Sequence, residues 1–151
     1  MKQKAGIALA LLGLACFLLT GCRKTKISAE GSPEQQELML AFLAAHDKGD
    51  LEAAKALVDW DGVSDDYKEH FIRVDLQGYT KEFIKSIGFS PLPALRPEYW
   101  DKFNLRPDIF LAVEYGDPKT PGRSNLYPIG EKDGHYLIAL QVRQSAAGDW
   151  P

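Results

Sequence analysis

The 151-residue chain carries only two cysteines, Cys16 and Cys22, both within its first 22 positions. Everything after them lacks a thiol, which excludes a disulfide and a thiolate-held metal from the rest of the chain. Histidine is also scarce. His46, His70 and His135 are scattered, without the i, i+4 or short-loop spacing that sets ligands on one face, so no metal site is expected. Basic excess is missing as well: beyond residue 21, 16 Lys and Arg stand against 21 Asp and Glu, a net charge of −5. A polyanion would find no surface to neutralise it, so nucleic acid is not an expected partner. The chain has no Gly-rich phosphate loop, no strand-to-helix serine elbow and no repeat of useful period, so no cofactor is expected. Its length leaves room for one small domain.

The amino terminus is rich in what the rest lacks. Lys2 and Lys4 precede an uninterrupted small and apolar run from Ala5 to Gly21. As a helix these residues would span roughly 25 Å at ~1.5 Å each, short of a ~30 Å hydrocarbon core, which favours a cleaved signal peptide over residues 1–21. The run ends in Leu19-Thr20-Gly21-Cys22, which resembles the lipobox of bacterial lipoproteins. The resemblance implies that the Cys22 thiolate is alkylated by a diacylglyceryl group. It also implies that a membrane peptidase cuts before Cys22, accepting the small residues Thr20 and Gly21. Cys22 would then be the first residue of the mature protein. At ~0.8 kcal/mol per buried methylene, its two or three acyl chains would hold the protein on the membrane. In Gram-negative members an Asp after the cysteine marks retention in the inner membrane. Arg23 stands there, so the periplasmic face of the outer membrane is the favoured location, with the inner membrane and the cell surface as alternatives. Residues 22–32 read as lipidated cysteine and flexible tether, reaching about 17 Å, with Arg23, Lys24 and Lys26 placed to touch anionic lipid.

From residue 33 the pattern turns to helices. Ser32-Pro33-Glu34-Gln35 is an N-cap, a first-turn proline and a capping-box partner. Leu38, Met39, Phe42, Leu43 and Ala45 then form a stripe to about Lys48, and Gly49 ends it. Asp50 caps a second helix to about Val58. Ser64-Asp65-Asp66 starts a third, with Tyr67, Phe71, Ile72 and Val74 as its inner face. Phe83 to Leu92 reads as a strand, and Pro91, Pro93 and Pro97 mark an irregular crossing. Strands are expected at 108–115, 124–131 and 135–143, the last two joined by Asp133-Gly134, which suits a two-residue hairpin turn. Residues 144–151 read as a frayed tail. Helices first and an antiparallel meander afterwards define an α+β domain over residues 33–143, with the helices covering one face of a curved sheet.

Phe42-Leu43-Ala44-Ala45, then Gly49 to Ala54, Trp60-Asp61-Gly62-Val63 and the hairpin around Gly134-His135-Tyr136 resemble the nuclear transport factor 2-like cone fold, as found in uncharacterised bacterial lipoproteins. No strand is evident between the second and third helices, so the cone would be shortened. The resemblance implies a pocket between sheet and helices, and a possible homodimer through the outer sheet face. Trp60, His70, Tyr79, Glu114, Gln141 and Arg143 are the candidate lining residues. More broadly, Tyr67, Tyr99, Trp100, Tyr115, Tyr127 and Tyr136 could line a ligand cavity or pack in the core. A His70–Asp75 catalytic pair is disfavoured, because i, i+5 on an α-helix puts the two about 140° apart. Glu114 and Arg143 read as an ion pair between strands. No catalytic residue emerges. The expectation is a membrane-anchored, non-catalytic module binding a protein or a small ligand of the envelope. The alternatives are a small cone-fold isomerase or dehydratase and a structural protein contacting peptidoglycan.

Overall fold

The computed structural model describes residues 24–28, 30–78, 82–116 and 122–142. The fold is α+β, with helices packed on an open five-stranded mixed sheet. Strand β1 (Lys26–Ile27) precedes helices α1 (Pro33–Lys48), α2 (Leu51–Lys55) and α3 (Asp65–Phe71), the last running into a π-turn at Ile72–Leu76. Then come β2 (Ile84–Pro91), the short helix α4 (Pro97–Trp100), β3 (Ile109–Tyr115), β4 (Arg123–Lys132) and β5 (His135–Ile138). The strands lie in sequence order. β1 runs parallel to β2 and every other neighbour is antiparallel.

Local chemistry sets the element ends. Ser32 accepts from the Gln35 amide while the Gln35 side chain accepts from the Ser32 amide, so the capping box is formed, and Gly49 at φ 63° ends α1. Leu38, Met39, Phe42 and Ala45 are the buried stripe of α1. They meet the face of β3 that carries Leu111, Val113 and Tyr115, with Ile129 and Ile138 beside it, all almost fully buried. The β4–β5 turn has both central residues at positive φ, Asp133 at 53° and Gly134 at 82°, the geometry that an Asp-Gly pair favours.

Four boundaries differ from the sequence reading. Helix α2 stops at Lys55 rather than Val58, because the following backbone bonds to β5: Ile138 N–H donates to Leu57 and Asp59 N–H to Ile138. Inside the stretch expected as a tether, β1 adds to the sheet edge: the Thr25 hydroxyl donates to the Ile84 carbonyl at 2.8 Å and Ser28 N–H to that of Ile87 at 3.0 Å. Gly88 permits this approach, since a Cβ there would lie 2.7 Å from that of Ser28. The third helix changes pitch. Gln77 N–H donates to Ile72, an i→i+5 bond that shifts the inner face by one residue. Val74, expected inside, is therefore 41% exposed, while Leu76 is buried. Finally, β5 ends at Ile138 and not at residue 143, because the chain turns away to pair with residues 102–104.

Candidate functional site

A cleft of about 840 Å³ opens where β4 outruns β5. Only Ile129 to Lys132 of β4 pair with β5. Pro128, with no N–H of its own, sits where the two strands part, its carbonyl accepting from Ala139 at 2.8 Å. The departing strap, Ala139 to Val142, is held by Asn104 and Lys102. Asn104 N–H donates to the Leu140 carbonyl at 2.9 Å and Leu140 N–H to Asn104 Oδ1 at 2.9 Å, while Val142 N–H donates to Lys102 at 2.9 Å. The first half of β4, Ser124 to Tyr127, is left as one wall of the cleft.

The facing wall is aromatic. Trp100 of α4 meets Tyr99 edge-on at 4.9 Å between ring centres, Phe103 at 5.8 Å and Phe110 of β3 at 6.1 Å. This cluster holds α4 against the sheet, and all four rings line the cleft with Leu92 and Leu95. Tyr67, Phe71 and Asp75, from α3 and its π-turn, close the third side, and Ala139, Leu140 and Gln141 complete the lining.

The polar groups converge at the π-turn end. Tyr127 Oη accepts from Asn125 Nδ2 at 3.0 Å, lies 3.3 Å from Tyr115 Oη and donates to the Asp75 main-chain carbonyl at 3.4 Å. The Asp75 side chain is half-buried and has no hydrogen-bond partner among the described residues. Burial pushes its carboxyl above the usual range, against a smaller opposing pull from His70. The Tyr67 hydroxyl is raised too, by burial and by the Asp75 charge. Among the described lining residues Asp75 is the one charged group, and none of them is a Lys, Arg or His.

The sequence candidates separate. Gln141 lines the cleft. Trp60 packs instead edge-on against Phe71 at 6.1 Å and donates Nε1–H to the Lys55 carbonyl. His70 is exposed on α3. Glu114 pairs across strands with Lys85 at 3.0 Å and accepts from the Ser86 hydroxyl at 3.0 Å, which together hold its carboxyl below the usual range. Tyr79, Arg143 and the lipobox residues Leu19, Thr20, Gly21 and Cys22 lie outside the described residues. Of the wider aromatic set, Tyr67, Tyr99, Trp100 and Tyr127 line the cleft, whereas Tyr136 donates to Asp108 at 2.6 Å. In the sequence Asp75 stands out only as a partner for His70. The signal that would have found it is the spacing of five between the buried Phe71 and Leu76, which an α-turn does not produce.

Among the described residues no cluster of three His, Cys, Asp or Glu could hold a metal, and no helix is long and apolar enough to cross a membrane. No family model matches the chain, and neither a curated protein nor a solved structure matches it. Chemically, the cleft offers a large apolar surface with one carboxyl and a few neutral polar groups at one end. That arrangement orients a ligand. For two-group acid–base catalysis it has no second carboxylate or imidazole among the described lining residues.

Proposed function

We propose that the protein is a lipoprotein of the bacterial envelope, lipid-anchored at Cys22, whose exported domain is a non-catalytic module that binds a small, mainly apolar ligand. The cleft carries this reading: at about 840 Å³ it falls within the ~300–1,000 Å³ of small-molecule sites, and like them it joins apolar walls to a few converging polar groups. The lipobox-like Leu19-Thr20-Gly21-Cys22 and the apolar run before it support the anchor, and Arg23 favours the outer membrane. We also read the domain as a shortened nuclear transport factor 2-like cone, for which the paired helices, the third helix and the terminal meander argue.

The test is solvent extraction of the full-length protein purified from membranes, followed by mass spectrometry of the extract. A near-stoichiometric apolar compound is expected from the parent and not from Leu126→Trp, which narrows the cleft from a position already 52% exposed. Equal recovery from both would refute the cleft as the binding site. A second reading, an isomerase or dehydratase, is favoured by one observation, the raised carboxyl of Asp75 in apolar surroundings. It requires that Asp75→Asn abolish turnover of whatever compound the extraction identifies.

A further inference from the structure

We propose that the ligand is a cationic amphiphile, its ammonium group seated among Asp75, Tyr67 and Tyr127 and its apolar body lying along Trp100, Phe110 and Leu126. This rests on the cleft being a ligand site and goes further, to the charge of what fills it.

The argument starts from what each kind of head group would meet. An anionic head would face the Asp75 carboxylate with no lysine, arginine or histidine among the described lining residues to offset it. A neutral head would displace water from Asp75 while leaving its charge uncompensated, a poor exchange for a carboxylate without a hydrogen-bond partner among the described residues. An ammonium supplies a counter-charge inside the cleft, where Asp75 feels only the smaller pull of His70. It also gains from aromatic faces, whose negative quadrupole attracts cations, quaternary ammonium above all. The same wall already takes a cation of its own, since Lys102 Nζ lies 5.8 Å from the centre of the Tyr99 ring. Asp75, Tyr67 and Tyr127 line the same end of the cleft, where Tyr127 Oη donates to the Asp75 main-chain carbonyl at 3.4 Å, so one head group there has all three within its surroundings. The apolar remainder of the cleft then sets the second requirement, a hydrocarbon or aromatic body.

The test uses the full-length protein in phosphatidylcholine nanodiscs, titrated calorimetrically with three water-soluble probes of similar size: benzyltrimethylammonium, benzyl alcohol and phenylacetate. Benzyltrimethylammonium is expected to bind at least about tenfold more tightly than benzyl alcohol, and phenylacetate most weakly. Asp75→Asn should erase that tenfold preference by weakening benzyltrimethylammonium, while benzyl alcohol binds at least as tightly as to the parent, which also reports that the cleft is intact. If Asp75→Asn fails to fold, the parent protein answers by acidification: the preference should fall as Asp75 protonates. Other groups around Asp75 are His70 and Tyr67 on its own helix, His46 and Asp50 across the α1–α2 junction, and Tyr115 and Tyr127 from the sheet. Any pH dependence surviving in Asp75→Asn belongs to them. Benzyl alcohol binding as tightly as the ammonium, or a preference untouched by both Asp75→Asn and acid, would overturn the charge assignment and leave the cleft standing. Failure of all three probes to bind would overturn both.

Discussion

Replacing Asn104 with alanine removes a two-sided clamp. Its Oδ1 accepts from Leu140 N–H at 2.9 Å and its Nδ2 donates to the Asp59 carbonyl at 2.6 Å. Leu140 and Asp59 are 3% and 5% exposed, so water cannot readily replace either bond. An unsatisfied buried donor or acceptor costs about 1–3 kcal/mol, which puts the loss for the pair at about 2–4 kcal/mol, since Asn104 itself is partly accessible and some relaxation will follow. For a domain of this size each kcal/mol lowers the midpoint by about 3–5 °C, so thermal unfolding followed by far-UV circular dichroism should shift down by about 6–20 °C. Asn104→Asp separates the two bonds. It keeps the acceptor for Leu140 but sets a carboxylate against the Asp59 carbonyl, and should also unfold below the parent. Because the clamp holds the strap at Ala139 to Val142, Asn104→Ala should weaken ligand retention even at temperatures where it stays folded. A midpoint within 2 °C of the parent, about 0.5 kcal/mol, would refute the claim that Asn104 fixes the strap.

Other perturbations test separate parts of the account. Gly88→Val should displace β1, because even a Cβ at residue 88 would lie 2.7 Å from that of Ser28; hydrogen exchange at the Ser28 amide should speed up while the β3–β4 amides stay protected. The π-turn register predicts that Leu76→Ala costs about 2–4 kcal/mol in urea unfolding whereas Val74→Ala stays within about 0.5 kcal/mol, and the reverse order would restore the α-helical register. Asp75 makes stability depend on pH. Its folded-state pKa is raised from 3.8, so the ionised form disfavours the fold, and stability is gained as pH falls through the raised value. Asp75→Asn should therefore unfold later than the parent at neutral pH, the difference vanishing below about pH 4; a less stable variant at pH 7 would contradict the desolvation argument.

The elements written by local chemistry were legible in the sequence. Ser32, Pro33 and Gln35 spell the start of α1 and Gly49 its end, while Asp133-Gly134 spells the hairpin. The alternation of 109–115 is readable in the sequence, and the structure buries Leu111, Val113 and Tyr115 on one face. What escaped was decided by partners distant in sequence. Nothing near Val58 announces that Ile138 will claim its neighbours' backbone and shorten α2. Nothing in 139–143 announces that Asn104 will pull the chain from the sheet. That departure creates the cleft, so of its lining only Gln141 and the aromatic residues Tyr67, Tyr99, Trp100 and Tyr127 could be named from the sequence. Asp75 stayed hidden behind an assumption of α-helical pitch. Glu114, a plausible lining residue by alternation, turned out to be engaged by Lys85 and Ser86.

Intact mass spectrometry of the protein taken from membranes into mild detergent tests the anchored-module account most directly. The account predicts a chain beginning at Cys22 that carries diacylglyceryl on sulfur. A chain retaining residues 1–21 with Cys22 unmodified would contradict it.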